Sequence, residues 1–372
     1  MNKIRIFFLV IFVSVFTNIF SQQIGNEWVS YNQKYLRFHV TEDGVYKIPY
    51  DVLKSAFNNI NIDIQNLNPA GFQVFGRGKE IPIYIKTQNN SFLESGDHIE
   101  VYCQRNDGWY DEQLYPNPHD HTNPYYSLFN DTASYYITWN PLLNGQRMTV
   151  EEGENFDSYN QIPYFYFENI HYLYSNYTLG ELSNDLLPKI EYVNGEGWIG
   201  PAYTNGQTRT YNLATTNAYS SGTFAEVEIG VGSTSNPAHH MKIQFAGETI
   251  DTVFFGQKYF RFQRQVPASA LGATNTSFVF SSVDDMQSPS DRQAVAFIKL
   301  KYPHNLQLEN TETYKLFLPN FGSLPKSVLK FTSNSIATNS GDVAIVYDIT
   351  NGIRVKPQKS GNQFSALMRN YG

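Results

Sequence analysis

Apolar and polar positions alternate at period two through much of the chain: Tyr35-Leu36-Arg37-Phe38-His39-Val40, Phe72-Gln73-Val74-Phe75, Ile81-Pro82-Ile83-Tyr84-Ile85, His98-Ile99-Glu100-Val101-Tyr102 and Tyr135-Tyr136-Ile137-Thr138-Trp139. Successive side chains of an extended strand point to opposite faces, so each run predicts a strand with one buried face. The clusters Glu42-Asp43-Gly44, Gly76-Arg77-Gly78-Lys79, Glu94-Ser95-Gly96-Asp97 and Asn106-Asp107-Gly108 predict turns between strands. One helix is expected here. Pro49 suits a first helical position, and Tyr50, Leu53, Ala56 and Phe57 recur at three and four residues before Asn58-Asn59 ends the pattern. Residues 24–150 therefore read as a β-rich domain with a short helix.

Residues 151–165, opening with Glu151-Glu152-Gly153-Glu154, show no regular period and read as a connection. A tyrosine-rich stretch at 164–172 follows, and strand-like runs recur at 207–211, 224–231, 241–245, 251–255, 259–266, 276–281 and 293–301. Short strands with frequent turns and no long helix predict an antiparallel sandwich of jelly-roll type over residues 165–305. Further strand-like runs at 312–318, 328–331 and 343–349 occupy residues 306–372. The expected fold class is mainly β.

Residues 1–22 stand apart. Lys3 and Arg5 precede Ile6-Phe7-Phe8-Leu9-Val10-Ile11-Phe12-Val13-Ser14-Val15-Phe16, an apolar run broken only by Ser14. It falls short of the roughly 20 residues that span a bilayer, and Thr17-Asn18 and Ser21-Gln22-Gln23 suit a peptidase site. This reads as a signal peptide cleaved near Ser21 or Gln22, with an uncleaved anchor as the alternative. No cysteine lies near the junction for a lipid anchor. The expected location is the periplasm, the outer-membrane surface or the medium, with no transmembrane segment after cleavage.

Charge narrows the partners. The 372 residues carry 27 Lys+Arg against 34 Asp+Glu, a net −7, which loss of Lys3 and Arg5 takes to −9. Nucleic acid and anionic membranes need a basic excess, so neither is an expected partner. Aromatic residues make up 16 % and charged residues only 16 %, below the usual ~25 %. Such a chain buries enough apolar surface to fold, and its length suits two or three domains.

Candidate chemistry is sparse. A single cysteine, Cys103, excludes an intramolecular disulfide framework, a cysteine-ligated zinc site and an iron–sulfur centre. Cys103 follows Tyr102 on a predicted strand, where a buried, inert thiol is expected. His119-Asp120-His121 offers two imidazoles and a carboxylate to a metal, but it lies between Pro118 and Pro124 with no third partner in view, so a solvated loop is expected. His239-His240 is weaker, because neighbours on a strand face opposite ways. Asp284, Asp285 and Asp291 are candidate calcium ligands, the one cofactor considered, although they lack the spacing of a standard calcium loop. No Gly-x-Ser-x-Gly, P-loop, dinucleotide fingerprint or His-Glu-x-x-His is present, so no catalytic residue is assigned. Trp109 follows the Asn106-Asp107-Gly108 turn and Trp198 sits between Gly197 and Gly200, so both are expected to hold the fold. An alternative use of aromatics is a sugar platform near Trp198, Tyr203 and Tyr219.

A resemblance adds to this reading. Asp43-Gly44-Val45-Tyr46-Lys47-Ile48 ahead of Tyr50-Asp51-Val52-Leu53, then Phe75-Gly76-Arg77-Gly78, Gly96-Asp97-His98-Ile99-Glu100, Gln104-Arg105-Asn106-Asp107-Gly108-Trp109 and Asn123-Pro124-Tyr125-Tyr126-Ser127-Leu128-Phe129-Asn130-Asp131-Thr132-Ala133 follow one another in order. Gly195-Glu196-Gly197-Trp198-Ile199-Gly200 and Asp291-Arg292-Gln293-Ala294-Val295-Ala296-Phe297 with Tyr302-Pro303 continue the series. The series resembles the region before the catalytic domain in gingipain-type cysteine peptidases of Bacteroidetes, in particular the type IX secretion sortase and its paralogue. The likeness covers nearly the whole mature chain. In that family the nucleophile and base lie in a following α/β domain, with a His-Gly pair and a later cysteine. This chain has no His-Gly pair and Cys103 lies far too early, so the resemblance transfers no catalytic residue. It implies an exported, non-catalytic N-terminal region acting in support, docking or autoregulation of a catalytic domain, with a downstream gingipain-like catalytic domain and type IX secretion components as its partners. The end at Tyr371-Gly372, without a capping pattern, leads towards such a domain. A glycan-binding module and a surface scaffold are the alternatives.

Overall fold

A computed structural model describes residues 26–221, 223–309, 313–333 and 344–370. The expected leader at 1–22 lies outside them. The chain is mainly β, with one α-helix among the described residues. Among the described residues no helix is long and apolar enough to cross a membrane. Contacts group the chain's described residues into two compact units, one made of those up to Phe38, Ile48–Val101 and Ser134–Gln146, the other of His39–Lys47, Tyr102–Ala133 and those from Arg147 onward. The alternation suggested a break near residue 150, but 39–47 and 102–133 belong with the later residues.

In the first unit the helix spans Tyr50–Asn58, with Pro49 extended at φ −68, ψ 153 as its N-cap, one place before the expected helical position. Leu53 and Phe57 are buried, and Phe57 meets Phe72 edge-on at 5.6 Å. The strand Phe72–Gly76 pairs with Lys79–Ile81 and Ala133–Trp139. All five of its residues are buried, because both faces of this strand are covered and not one, as its alternation predicted. Ile83–Lys86 and His98–Cys103 form an antiparallel pair beside it in sequence.

The second unit contains the sandwich. One sheet runs Tyr203–Thr204, Arg292–His304, Phe224–Ser233, Tyr259–Pro267, with Phe165–Tyr172 on the later half of Arg292–His304. The other runs Thr208–Ala214, Asn275–Ser282, Ala238–Phe245, Glu248–Phe255. All these pairings are antiparallel. Each of the seven predicted runs is a strand here, and the tyrosine-rich stretch adds another. Inward residues alternate with polar ones, so Val227, Ile229 and Val231 meet Met241, Ile243, Phe278 and Phe280 in one core. Phe245 stacks on Phe278 at 5.3 Å.

Two smaller sheets close the second unit, Gln307–Leu308, Lys326–Ser333, Gln363–Arg369, Gln358–Ser360 and Val346–Asp348, Ile353–Lys356, Thr149–Glu152. They share a core of Leu329, Phe331, Ile353, Val355, Phe364 and Met368. Glu151 and Glu152, expected in a connection, lie in a strand parallel to Ile353–Lys356. The reason is long-range charge pairing: Glu151 meets Lys326 at 3.0 Å and Arg369 at 3.1 Å. The run expected at 312–318 makes only a single bridge, Phe317 to Tyr166, among the described residues.

Candidate functional site

The residues that attract attention in the sequence between 103 and 130 occupy an irregular segment held by side-chain to backbone bonds. Asn106 Oδ1 accepts from the Gly108 amide at 3.2 Å and Asp107 Oδ1 from the Trp109 amide at 3.1 Å, with Gly108 at φ +83 making the turn. That turn aims Asp111 inward, where Oδ2 accepts from Ser127 Oγ at 2.9 Å and the Leu128 amide at 2.7 Å. The Tyr115 hydroxyl and Thr122 Oγ1 both donate to the Glu196 carbonyl, at 2.8 and 2.5 Å. Asn123 Nδ2 donates to the Leu173 carbonyl at 3.0 Å.

His119-Asp120-His121 is therefore not the solvated loop expected of it. His119 is exposed and Asp120 half-buried, while His121 is 1 % exposed and neither of its ring nitrogens has a hydrogen-bond partner among the described residues. Burial pulls the His121 pKa down to about 4, with Asp111 opposing and Arg261 assisting. The ring stays neutral and packs on Tyr115 at 5.2 Å, so it does not join His119 around a metal.

His119 and Asp120 line an open cavity of about 420 Å³ with Asn194, Tyr259, Phe260, Arg261 and Gln263. Asn194 organises it: Nδ2 donates to Asp120 Oδ1 at 2.8 Å, and Oδ1 accepts from the Tyr259 amide at 2.8 Å. Arg261 donates to the His121 carbonyl at 3.2 Å, approaches Glu228 at 3.4 Å and lies 5.8 Å over the Phe297 ring. No serine, threonine or cysteine lines this cavity. Its carboxylate and guanidinium are engaged by protein groups, so the arrangement suits holding a polar chain.

Cys103 is buried at 0 % exposure, and burial pushes its thiol up to about 12. At neutral pH it is protonated and unreactive.

The calcium candidates separate. Asp291 is buried, with Oδ1 facing His239 Nδ1 at 2.7 Å and Gln293 Nε2 at 2.9 Å and Oδ2 accepting from the His240 amide at 3.0 Å. Burial raises its pKa, but the bonds from His239 and Gln293 prevail and hold it below the usual carboxylate range. Asp285 pairs instead with His240 Nδ1 at 2.8 Å, and Asp251 takes Nε2 of that ring at 2.7 Å. Asp284 accepts from Asn205 Nδ2 at 3.2 Å. The three carboxylates thus face different protein donors, and no group of three or more His, Cys, Asp or Glu gathers for a metal among the described residues. The pair His239-His240 does face opposite ways, one ring buried and the other on the outer surface of its sheet.

Trp109, expected to help hold the fold, is 41 % exposed and contacts Tyr110 edge-on. The turn that places it points Asp111 inward and leaves the indole outside. Trp198 is half-buried, its Nε1 3.4 Å from the Leu128 carbonyl and its ring edge-on to Tyr177. Of the rings considered for sugar, Tyr203 is 1 % exposed and donates to Gln293 at 3.2 Å, while Tyr219 stacks on Tyr164. A shared platform of Trp198, Tyr203 and Tyr219 is not formed.

One network went unmarked in the sequence. His304, fully buried, faces the Asn305 carbonyl through Nδ1 at 2.6 Å and Glu309 through Nε2 at 2.9 Å, and the Tyr314 hydroxyl donates to Glu309 at 2.6 Å. Burial raises the Glu309 pKa, yet the bonds from Tyr314, His304 and Asn217 bring it down to about 2. The available signal was an imidazole ending the apolar run of Arg292–His304.

No family model matches the chain, and no curated protein matches it. Among solved structures it is similar to dimeric latent PorU from Porphyromonas gingivalis, at a TM-score of 0.55 and 13 % identity over 90 % of this chain. The match covers 30 % of the PorU chain, so the two share a fold over a fraction of that protein's length. A CBM36-1 domain of a multidomain xylanase from the hindgut metagenome of Trinervitermes trinervoides matches 36 % of this chain at a TM-score of 0.22 and 15 % identity, over 96 % of its own length. That score is too low to carry an argument.

Proposed function

We propose that this chain is the exported, non-catalytic N-terminal region of a gingipain-like type IX secretion protein and serves as a support or docking scaffold for a catalytic domain that follows it. The observation that carries this reading is the fold likeness to PorU, which extends over 90 % of this chain but 30 % of the PorU chain. The order of sequence motifs supports it independently. The state of the one thiol agrees with it: Cys103 is buried, and burial keeps it protonated at neutral pH.

The test is the intact mass of the native polypeptide, recovered from the envelope of its source cells with an antibody against the sandwich. The expected product starts near Gln22 and is longer than this chain, with a downstream domain carrying a His-Gly pair and a cysteine. A free polypeptide ending near Gly372 and stable in the medium would overturn the proposal.

A further inference from the structure

Strand Tyr259–Pro267 ends its sheet, pairing with Phe224–Ser233 on one side and with no strand on the other among the described residues. The direction of its backbone groups can be read from its first residues. The Lys258 carbonyl accepts from the Ser233 amide at 2.9 Å, towards the sheet, whereas the Tyr259 amide donates outward to Asn194. Alternation then turns the amides and carbonyls of Arg261, Gln263 and Gln265 outward as well. Of these, the Gln263 carbonyl accepts from Arg264 Nη1 at 2.8 Å, and no other outward group is hydrogen-bonded among the described residues.

We propose that this edge docks an extended, acidic polypeptide segment, which adds to the sheet as a further strand. Three observations converge on it. Unpaired edge groups are a template for another chain. The Asn194 side-chain amide already occupies the first outward position, donating and accepting as a peptide group would, at 2.8 Å to the Tyr259 amide and 3.5 Å from its carbonyl. The open cavity lies along this stretch, lined by Tyr259, Phe260, Arg261 and Gln263 of the strand itself.

Charge selects the occupant. Lys258, Arg261 and Arg264 stand within eight residues that contain no acid, on a chain whose net charge is −7. Arg261 is met by Glu228, whereas Lys258 and Arg264 are exposed. A second copy would bring the same cations to the edge, so self-pairing is opposed. An incoming carboxylate instead draws the Arg264 guanidinium off the Gln263 carbonyl and frees that acceptor for the added strand.

The experiment is a fluorescence-anisotropy titration of the chain with a labelled, acetylated peptide of alternating Val and Glu, beside its Val and Lys counterpart. The Glu peptide should saturate and bind at least about tenfold tighter than the Lys peptide. Gln263→Pro removes an outward amide that the sheet does not use, so it should leave melting unchanged and weaken the Glu peptide about tenfold or more. Arg264→Glu should reverse the preference between the peptides. If Gln263→Pro destabilises the fold, amide exchange of Arg261, Gln263 and Gln265 in the unaltered chain should still slow when the Glu peptide is added. No saturation, equal binding of both peptides, unchanged exchange at those amides, or edge-to-edge dimers in sedimentation would each overturn the proposal.

Discussion

Within the second unit, the sandwich and the segment 104–132 both exclude water, but with different residues. In Ala238–Phe245 the buried positions are His239, Met241, Ile243 and Phe245, every second residue, and the ladder pairs the backbone. In the segment the buried positions are Gly108, Asp111, Tyr115, His121, Thr122, Asn123, Ser127 and Leu128, at no fixed spacing. Their backbone groups are met by side chains, as when Asp111 receives the Leu128 amide. The contrast shows that irregular chain can be interior when short polar side chains take over the work of a ladder. It also assigns different weak points: volume in one region, single acceptors in the other.

The largest effect should come from volume. Phe280 is 0 % exposed in the sandwich core, so Phe280→Ala should cost about 3–5 kcal/mol in denaturant unfolding. A loss below about 1 kcal/mol would mean that the two sheets are not held by this core. Next comes the acceptor. Asp111→Ala strands Ser127 Oγ and the Leu128 amide in a buried place and should cost about 1–3 kcal/mol, with Asp111→Asn recovering part of it. A null result there would make the segment a loosely attached loop and erase the comparison.

Two smaller effects carry a pH signature. Glu309 has its folded pKa lowered to about 2 from 4.5, so its contribution is present above about 4.5 and disappears as pH falls towards 2. The melting difference between the parent and Glu309→Gln should shrink over that window, and a constant difference would contradict the network. His240 is shifted the other way, because Asp285 and then Asp251 hold its ring protonated. Its contribution is complete below the ordinary histidine range and is lost as pH rises through the folded value. His240→Gln should therefore lower melting more at pH 6 than at pH 9, by a small amount because the ring lies near solvent.

How far these regions were legible follows from the same contrast. Sandwich runs such as 224–231 and 241–245 stood out because every second residue was apolar, and 293–301 because Ala294 to Ile298 are apolar in succession. The strand Ala238–Phe245 extends beyond its run because ladder bonds continue through polar residues such as His239 and His240. Glu151 and Glu152 gave no sign of a strand, since what fixes them, Lys326 and Arg369, lies far along the chain. Asp291 drew notice as a carboxylate before a strand, but its partner His239 is 52 residues away, and no local pattern announces such a pair. His119 and Asp120 were visible as chemistry. Asn194, which ties Asp120 to the edge strand from 74 residues on, was not.

Hydrogen exchange resolved to single amides tests most directly whether segment 104–132 is interior structure. The Leu128 amide, bonded to Asp111, and the Asn106 amide, bonded to the Asp131 carbonyl at 3.1 Å, should exchange within about tenfold of the sandwich amides of Val227 and Ile243. Exchange of Leu128 and Asn106 at the rate of exposed loops, while Val227 and Ile243 stay protected, would contradict the account.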